Sequence, residues 1–138
     1  YRQILKNINI NVSNISSSTD FSDTSEESIN GKIDFLGLDN IILVKGDFES
    51  TMKTEKMQNL KLMSSLLDCD LYSSYKVALP FIWSRMNSGG FMYLDEYYSL
   101  KFPGAKVACD EFFEDREESP KMANSEERQF ERWFAVKK

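Results

Sequence analysis

The sequence has no histidine, only two cysteines and only six glycines among 138 residues. Without histidine, Ser-His-Asp and Cys-His catalysis in their usual forms are excluded, as are zinc sites that need an imidazole ligand. The two cysteines, Cys69 and Cys109, are too few for a disulfide framework, and each lies in an apolar stretch. We therefore expect both to be reduced core residues. Any acid–base or metal chemistry must then use carboxylates, lysine, tyrosine or cysteine.

The chain also has no long hydrophobic run and no excess of positive charge. It contains no stretch of about 18 apolar residues, which excludes a membrane-spanning helix, and no signal-peptide pattern. The 17 basic and 22 acidic residues give a net charge of −5, which argues against a protein that tracks nucleic-acid phosphates. We expect a cytoplasmic location, with neither nucleic acid nor membrane as a partner.

The apolar fraction of 41%, with ten phenylalanines, is enough for a hydrophobic core. The length predicts a single domain over residues 1–138, with a poorly defined segment at 1–24. The chain starts at Tyr1 rather than at methionine, as expected of a fragment or a processed product.

Strand-like and helix-like patterns alternate along the chain. Strands are predicted from apolar runs or alternation at residues 8–12, 41–44, 60–67, 91–94 and 130–136. Helices are predicted at 25–36, 50–58, 72–86 and 105–117, with a turn at 87–90. This order predicts an α/β fold with a mainly parallel sheet, whose functional crevice lies at the carboxyl ends of the strands.

Three details of these elements are specific predictions. Thr24 with Glu27 forms a capping-box pattern for the first helix, and Gly37 is placed to end it. The continuous apolar run Ile41–Val44 is typical of a strand that is buried on both faces. Pro80 should kink the third helix or mark its last turns.

Acidic residues close two consecutive predicted strands. Asp68 and Asp70 end one strand, and Asp95 and Glu96 end the next. If the strands are neighbours, their ends lie about 5 Å apart, and carboxylates at that spacing raise one another's pKa. A hard divalent cation such as Mg²⁺, Ca²⁺ or Mn²⁺ would relieve that repulsion. An N-cap role for Asp70, or a solvated rim, fits the spacing equally well.

Three ordered segments carry a more specific pattern: LDCDLYSSYKVAL at 67–79, SGGFMYLDEY at 88–97 and FPGAKVACDEFF at 102–113. Together with residues 37–51 and 132–137, they resemble the macrocin O-methyltransferase (TylF-like) family of class I, S-adenosylmethionine-dependent enzymes. The resemblance covers about residues 20 to 138.

The resemblance implies a role for each acidic residue. Asp68, Asp95 and Glu96 would bind Mg²⁺ or another hard divalent cation, and Asp70 would be the general base. Glu96 stands where the family usually has a second aspartate. The implied reaction transfers a methyl group from S-adenosylmethionine to a hydroxyl of a sugar or glycoside.

One departure from the family is large. None of the six glycines forms the strand–Gly-x-Gly–helix unit that binds the cofactor. We therefore expect the C-terminal portion of a Rossmann-like three-layer sandwich that lacks the N-terminal glycine-rich strand, turn and helix. Gly46, Asp47 and Phe48 are the candidate cofactor contacts, because the loop after the Ile41–Val44 strand usually lies beside the adenine. An ordinary turn and a core side chain are the alternatives.

Tyr72, Tyr97 and Tyr98 are candidate acceptor contacts, with helix packing or a solvated loop as the alternatives. Homo-oligomerisation is compatible with this pattern. Activity of the chain alone is open, and a second hypothesis is a non-catalytic remnant or interaction module that keeps the acidic site. A receiver-type phosphoacceptor is disfavoured, because receivers carry their acidic pair on the first strand.

Overall fold

The computed structural model describes residues 24–123 and 132–138. The predicted strand at residues 8–12 lies outside the described residues, as does Phe130 of the closing strand. The chain divides into two compact units, Tyr1–Lys45 and Gly46–Lys138, which are taken separately below.

In the first unit, helix α1 spans Glu26–Phe35, close to its predicted bounds. The cap is Ser25, one residue after the predicted Thr24, and its hydroxyl accepts a hydrogen bond from the Ser28 amide at 3.1 Å. Gly37 ends the helix as predicted, with a φ of +63° that residues with a side chain rarely adopt.

The predicted strand at Ile41–Val44 is wrong. These residues form neither helix nor strand, and their side chains are 37–66% exposed. A continuous apolar run becomes a buried strand only where neighbouring strands bond its backbone and helices cover its faces. In the described part of the chain, every paired strand belongs to the second unit, and none of them includes this run.

Among the described residues, the second unit contains the sheet and most of the helices. Its elements are α2 (Phe48–Thr51), α3 (Glu55–Gln58), β1 (Leu62–Leu67), α4 (Tyr72–Arg85), β2 (Met86–Leu94), α5 (Pro103–Phe113), β3 (Lys121–Met122) and β4 (Trp133–Val136). The sheet order is β1-β2-β4-β3. The β1–β2 pair is parallel, and the other two pairs are antiparallel. The α/β class is confirmed, with a mixed sheet in the described part of the chain.

The predicted turn at Asn87–Gly90 lies within β2, where the strand is irregular. Between consecutive pairs of the ladder, β1 advances from Leu62 to Ser64 while β2 advances from Met86 to Phe91, so β2 bulges outward. A Cβ on Gly90 would lie 2.9 Å from the Met63 carbonyl oxygen of β1, closer than real Cβ contacts. Glycine at this position lets the two strands approach each other.

The core lies where α4 and α5 pack on each other and on the sheet. Helix α4 continues through the exposed Pro80 to Arg85. The buried apolar side chains of these helices and strands form one cluster: Leu67, Tyr75, Ala78, Leu79, Ile82, Trp83, Met86, Met92, Leu94, Tyr97, Ala105, Ala108, Cys109, Phe113 and Ala135. This cluster holds the carboxyl ends of β1 and β2 in place.

Candidate functional site

The two acidic segments leave the sheet side by side, as predicted. Leu67 and Leu94 are the last paired residues of the parallel strands β1 and β2. One residue later, the Asp95 amide donates a hydrogen bond to the Leu67 carbonyl oxygen at 3.1 Å. The segments 68–70 and 95–96 therefore begin at the same edge of the sheet.

Three of the four carboxylates form a compact group. One oxygen each of Asp68, Asp70 and Glu96 lies within 4.8 Å of the other two. Two oxygens that share a hard cation at 2.1–2.6 Å lie at most about 4–5 Å apart, so small side-chain adjustments suffice for a shared ion. The donor set is all carboxylate, which suits Mg²⁺, Ca²⁺ or Mn²⁺. Asp95 is not part of this group, which contains Asp70 in its place.

The charges of the site oppose ionisation. Burial and the charge of Asp68 raise the pKa of Asp70, while Lys101 lowers it. Burial raises the pKa of Glu96, against a hydrogen bond from Ser99 that lowers it. Asp95 raises both pKa values through its charge. A bound cation would remove this repulsion.

Asp70 occupies an unusual backbone conformation. Its φ of +56° is the only positive value of a residue other than glycine in the described part of the chain. The Leu71 amide donates a hydrogen bond to the Cys69 carbonyl oxygen at 2.5 Å, which closes a tight turn around Asp70. The N-cap of α4 is Leu71, without a side-chain cap. The N-cap interpretation of Asp70 is therefore wrong, and its carboxylate faces the acidic group.

Tyr75 is a site residue that the sequence pattern did not reveal. Its hydroxyl donates a hydrogen bond to the Leu67 carbonyl oxygen at 2.9 Å and accepts one from the Glu96 amide at 3.4 Å. The helical apolar pattern around it predicts burial of the ring. The partners of the hydroxyl come from two other elements, which local spacing does not specify.

The tyrosines after the acidic pair have different environments. Tyr97 is buried, and its hydroxyl donates to Asp110 Oδ1 of α5 at 2.6 Å. Burial and that bond raise its pKa. Tyr98 is 52% exposed, and its ring stacks on Trp133 with centroids 4.9 Å apart. Trp133 is itself half-buried. The Lys106 ammonium lies over the Tyr98 ring, 5.8 Å from its centroid.

Tyr72 connects the two long helices. Its hydroxyl donates to Glu111 Oε2 of α5 at 2.9 Å, and Lys76 forms an ion pair with the same oxygen at 2.9 Å. Both bonds are exposed. The hydroxyl is thus engaged in helix packing, and acceptor binding by Tyr72 stays a prediction.

Gly46, Asp47 and Phe48 line a shallow groove together with Ser73, Ser74 and Val77 of α4. The carboxylate of Asp47 accepts a hydrogen bond from the Glu49 amide at 2.8 Å and so caps α2. The groove has a volume of about 280 Å³. This volume lies just below the roughly 300–1,000 Å³ of most small-molecule sites, so the groove has room for part of a nucleoside.

Both cysteines are free, as predicted. Cys109 is buried and Cys69 is half-buried. Burial raises the pKa of each thiol to about 12, and Asp70 and Asp68 contribute at Cys69. Both thiols are therefore protonated at neutral pH and are poor nucleophiles.

In residues 24–123 and 132–138, no helix is both long and apolar enough to cross a membrane.

Comparisons with known proteins agree with this geometry. The family model of macrocin-O-methyltransferase (TylF) matches residues 11–126. No curated protein sequence matches. The fold is similar to that of the O-methyltransferase NovP, with a TM-score of 0.68 and 21% identity over 83% of this chain and 45% of that one.

A second similar structure is the apo form of CalS11, described as a TDP-rhamnose 3′-O-methyltransferase of calicheamicin biosynthesis. The TM-score is 0.56, with 21% identity over 68% of this chain and 40% of that one. At these identities the likeness shows a shared fold. This chain spans less than half the length of either structure.

Proposed function

We propose that this chain forms the metal- and acceptor-binding part of an S-adenosylmethionine-dependent sugar O-methyltransferase. The chain belongs to the macrocin O-methyltransferase (TylF) family. The observation that carries the proposal is the group of three carboxylates at the shared carboxyl edge of β1 and β2. CalS11, which has this fold, is described as acting on a TDP-linked sugar. This supports a sugar or glycoside hydroxyl as the acceptor.

Asp68 and Glu96 are the proposed cation ligands with the strongest geometric support, since their oxygens lie within 4.8 Å of each other. Asp95 is the proposed third ligand on the family resemblance, since it precedes Glu96 at the same edge of the sheet although it lies outside the compact group. When bound, a divalent cation such as Mg²⁺ lowers the pKa of an acceptor hydroxyl. Ligands from two strands would hold that hydroxyl in a fixed orientation, which is a large part of catalysis.

Asp70 is the proposed general base. Its turn directs the carboxylate into the acidic group. When bound, S-adenosylmethionine would supply the methyl group from its sulfonium and would leave as a neutral thioether. Asp70 would accept the proton that the acceptor hydroxyl loses, so charge and atoms balance.

The remaining proposed contacts lie around this centre. Gly46, Asp47 and Phe48 form one edge of the cofactor site through the groove that they share with α4. Tyr98 offers its exposed ring as a stacking surface for the acceptor sugar. Tyr97 holds the same loop against α5 through Asp110. The two protonated, unpaired thiols support a reducing, cytoplasmic setting.

A non-catalytic remnant that keeps the metal site is the second candidate. The small volume of the groove beside Gly46–Phe48 favours it. Calorimetry of this chain with S-adenosylmethionine in the presence of Mg²⁺ separates the two functions. Heat from both ligands supports the methyltransferase, whereas metal binding without cofactor binding supports a remnant or a fragment that lacks the cofactor-binding part. Absence of metal binding contradicts both.

A further inference from the structure

Tyr75 joins the ends of two strands through one buried hydroxyl. The residue lies in the first turn of α4, and its side chain has no exposed surface. The hydroxyl donates to the Leu67 carbonyl oxygen at the end of β1 and accepts from the Glu96 amide just after β2, at 2.9 and 3.4 Å. The same Leu67 oxygen accepts from the Asp95 amide at 3.1 Å.

The direction of both hydroxyl bonds is determined by their partners. A carbonyl oxygen only accepts and a backbone amide only donates, so the hydroxyl of Tyr75 must donate to Leu67 and accept from Glu96. Burial raises the pKa of Tyr75, so the hydroxyl keeps the proton that it donates. A phenylalanine would fill the same space without either bond.

These bonds act beyond the regular sheet. The paired residues of the parallel ladder end at Leu67 and Leu94, and the Asp95 amide makes the last bond to β1. The separation of the segments 68–70 and 95–96 past that point depends on other contacts. The hydroxyl of Tyr75 supplies one of them, because it bridges the Glu96 amide and the carbonyl oxygen of Leu67, the residue before Asp68.

Tyr75 also connects the helix to the turn around Asp70. Its backbone amide donates to the Leu71 carbonyl oxygen at 3.0 Å, directly after that turn. One residue therefore contacts the chain on both sides of segment 68–70 and the backbone of Glu96 in segment 95–96. Each member of the carboxylate group is within three residues of one of these bonds.

We infer that Tyr75 is a positioning residue whose hydroxyl sets the separation of the two acidic segments and thereby the cation affinity of the carboxylate group. The hydrogen bonds of the Tyr75 hydroxyl go to backbone atoms only, so it acts through Asp68, Asp70 and Glu96 rather than as a ligand. The inference rests on the proposed function, which supplies the cation that the carboxylate group would bind. The bond to the Glu96 amide can be tested without a cation.

The test compares Tyr75→Phe with Tyr93→Phe in the full 138-residue chain. The control removes a hydroxyl from β2, three residues before Glu96. Mn²⁺ is the probe, since it takes the same carboxylate ligands as Mg²⁺. We expect Tyr75→Phe to weaken Mn²⁺ binding in calorimetry about tenfold or more, the usual effect of losing a residue that orients ligands. Tyr93→Phe should bind within about twofold of the unmodified chain.

Hydrogen exchange of the Glu96 amide is the second readout. We expect it to be slow in the unmodified chain and in Tyr93→Phe, and much faster in Tyr75→Phe. Equal Mn²⁺ affinity in Tyr75→Phe overturns the inference while leaving the proposed metal site intact. If the unmodified chain binds no Mn²⁺, the proposed metal site is wrong. The exchange rate of the Glu96 amide then tests by itself whether the Tyr75 hydroxyl bond holds segment 95–96. Exchange of that amide at an unprotected rate in the unmodified chain overturns the inference even if Tyr75→Phe does not fold.

Discussion

Asp70 has a positive φ that few residue types other than glycine, asparagine and aspartate adopt readily. Asparagine should therefore fit the same turn without strain. Asp70→Asn removes one charge from a group in which burial and Asp68 already disfavour ionisation. The substitution consequently separates the charge of this residue from its backbone role.

The raised pKa of Asp70 determines how the effect of Asp70→Asn on stability depends on pH. A carboxyl group with a raised folded-state pKa contributes stability below its ordinary value of 3.8 and loses it as the pH rises through the folded-state pKa. We expect Asp70→Asn to raise the Tm of the metal-free chain slightly at neutral pH and to leave it unchanged near about pH 3. Thermal unfolding with a chelator measures this. A lower Tm at neutral pH would contradict the direction of the pKa shift.

The base assignment has its own readout in the same substitution. In an intact homologous methyltransferase, the corresponding change should lower turnover by about 10²–10⁴ and leave most of the metal binding in place. Unchanged turnover would remove Asp70 from the mechanism.

At the residue scale, the sequence predicted the convergence of the acidic residues but not their grouping. Asp68, Asp70 and Glu96 each follow a predictable strand, which brings them to one edge. The choice of Asp70 rather than Asp95 for the compact group depends on the turn at Asp70. That turn, like the hydroxyl bonds of Tyr75, arises from tertiary contacts that residue spacing does not encode.

At the scale of elements, the close approach of β2 to β1 at Gly90 gives a direct test of the sheet. Gly90→Ala would bring a Cβ within 2.9 Å of the Asn87 and Met63 carbonyl oxygens. We expect a loss of about 1–3 kcal/mol in the free energy of unfolding, as for other overpacked sites. Urea denaturation measures it.

Gly31→Ala is the matched control for that substitution. A Cβ on Gly31 meets nothing within 4 Å, and the residue lies inside α1. Alanine should therefore raise the helix content of α1, since glycine costs about 1 kcal/mol relative to alanine within a helix. Equal stability losses for the two substitutions would contradict the described approach of the strands.

Periodicity predicted the main elements well. Helix α4 was predicted over 72–86 and spans Tyr72–Arg85, and β1 was predicted over 60–67 and spans Leu62–Leu67. These segments succeed because their apolar residues face a core within the same unit. Ile41–Val44 fails because an apolar run does not specify whether a partner strand is present.

At the scale of the whole molecule, the described sheet accounts for only part of a methyltransferase-like fold. NovP and CalS11 share this fold, yet the chain spans 45% and 40% of their lengths. The inventory of six glycines predicted this partial character, because no cofactor-binding Gly-x-Gly element is present. The division into Tyr1–Lys45 and Gly46–Lys138 was not predicted from composition.

The second unit contains the proposed metal ligands, the proposed base and the proposed acceptor contacts. The net charge of −5 also favours the approach of a cation over that of an anion. Metal binding is therefore the part of the proposed function that can be tested with this chain alone.

Calorimetric titration of the chain with Mn²⁺ tests this central claim most directly. Asp68→Asn removes a proposed ligand, and Asp115→Asn, in the exposed acidic stretch after α5, is the matched control. We predict one Mn²⁺ per chain, a loss of at least about tenfold in affinity for Asp68→Asn, and unchanged affinity for Asp115→Asn. Equal weakening by both substitutions, or no saturable binding by the unmodified chain, would contradict a cation site at the edge of β1 and β2.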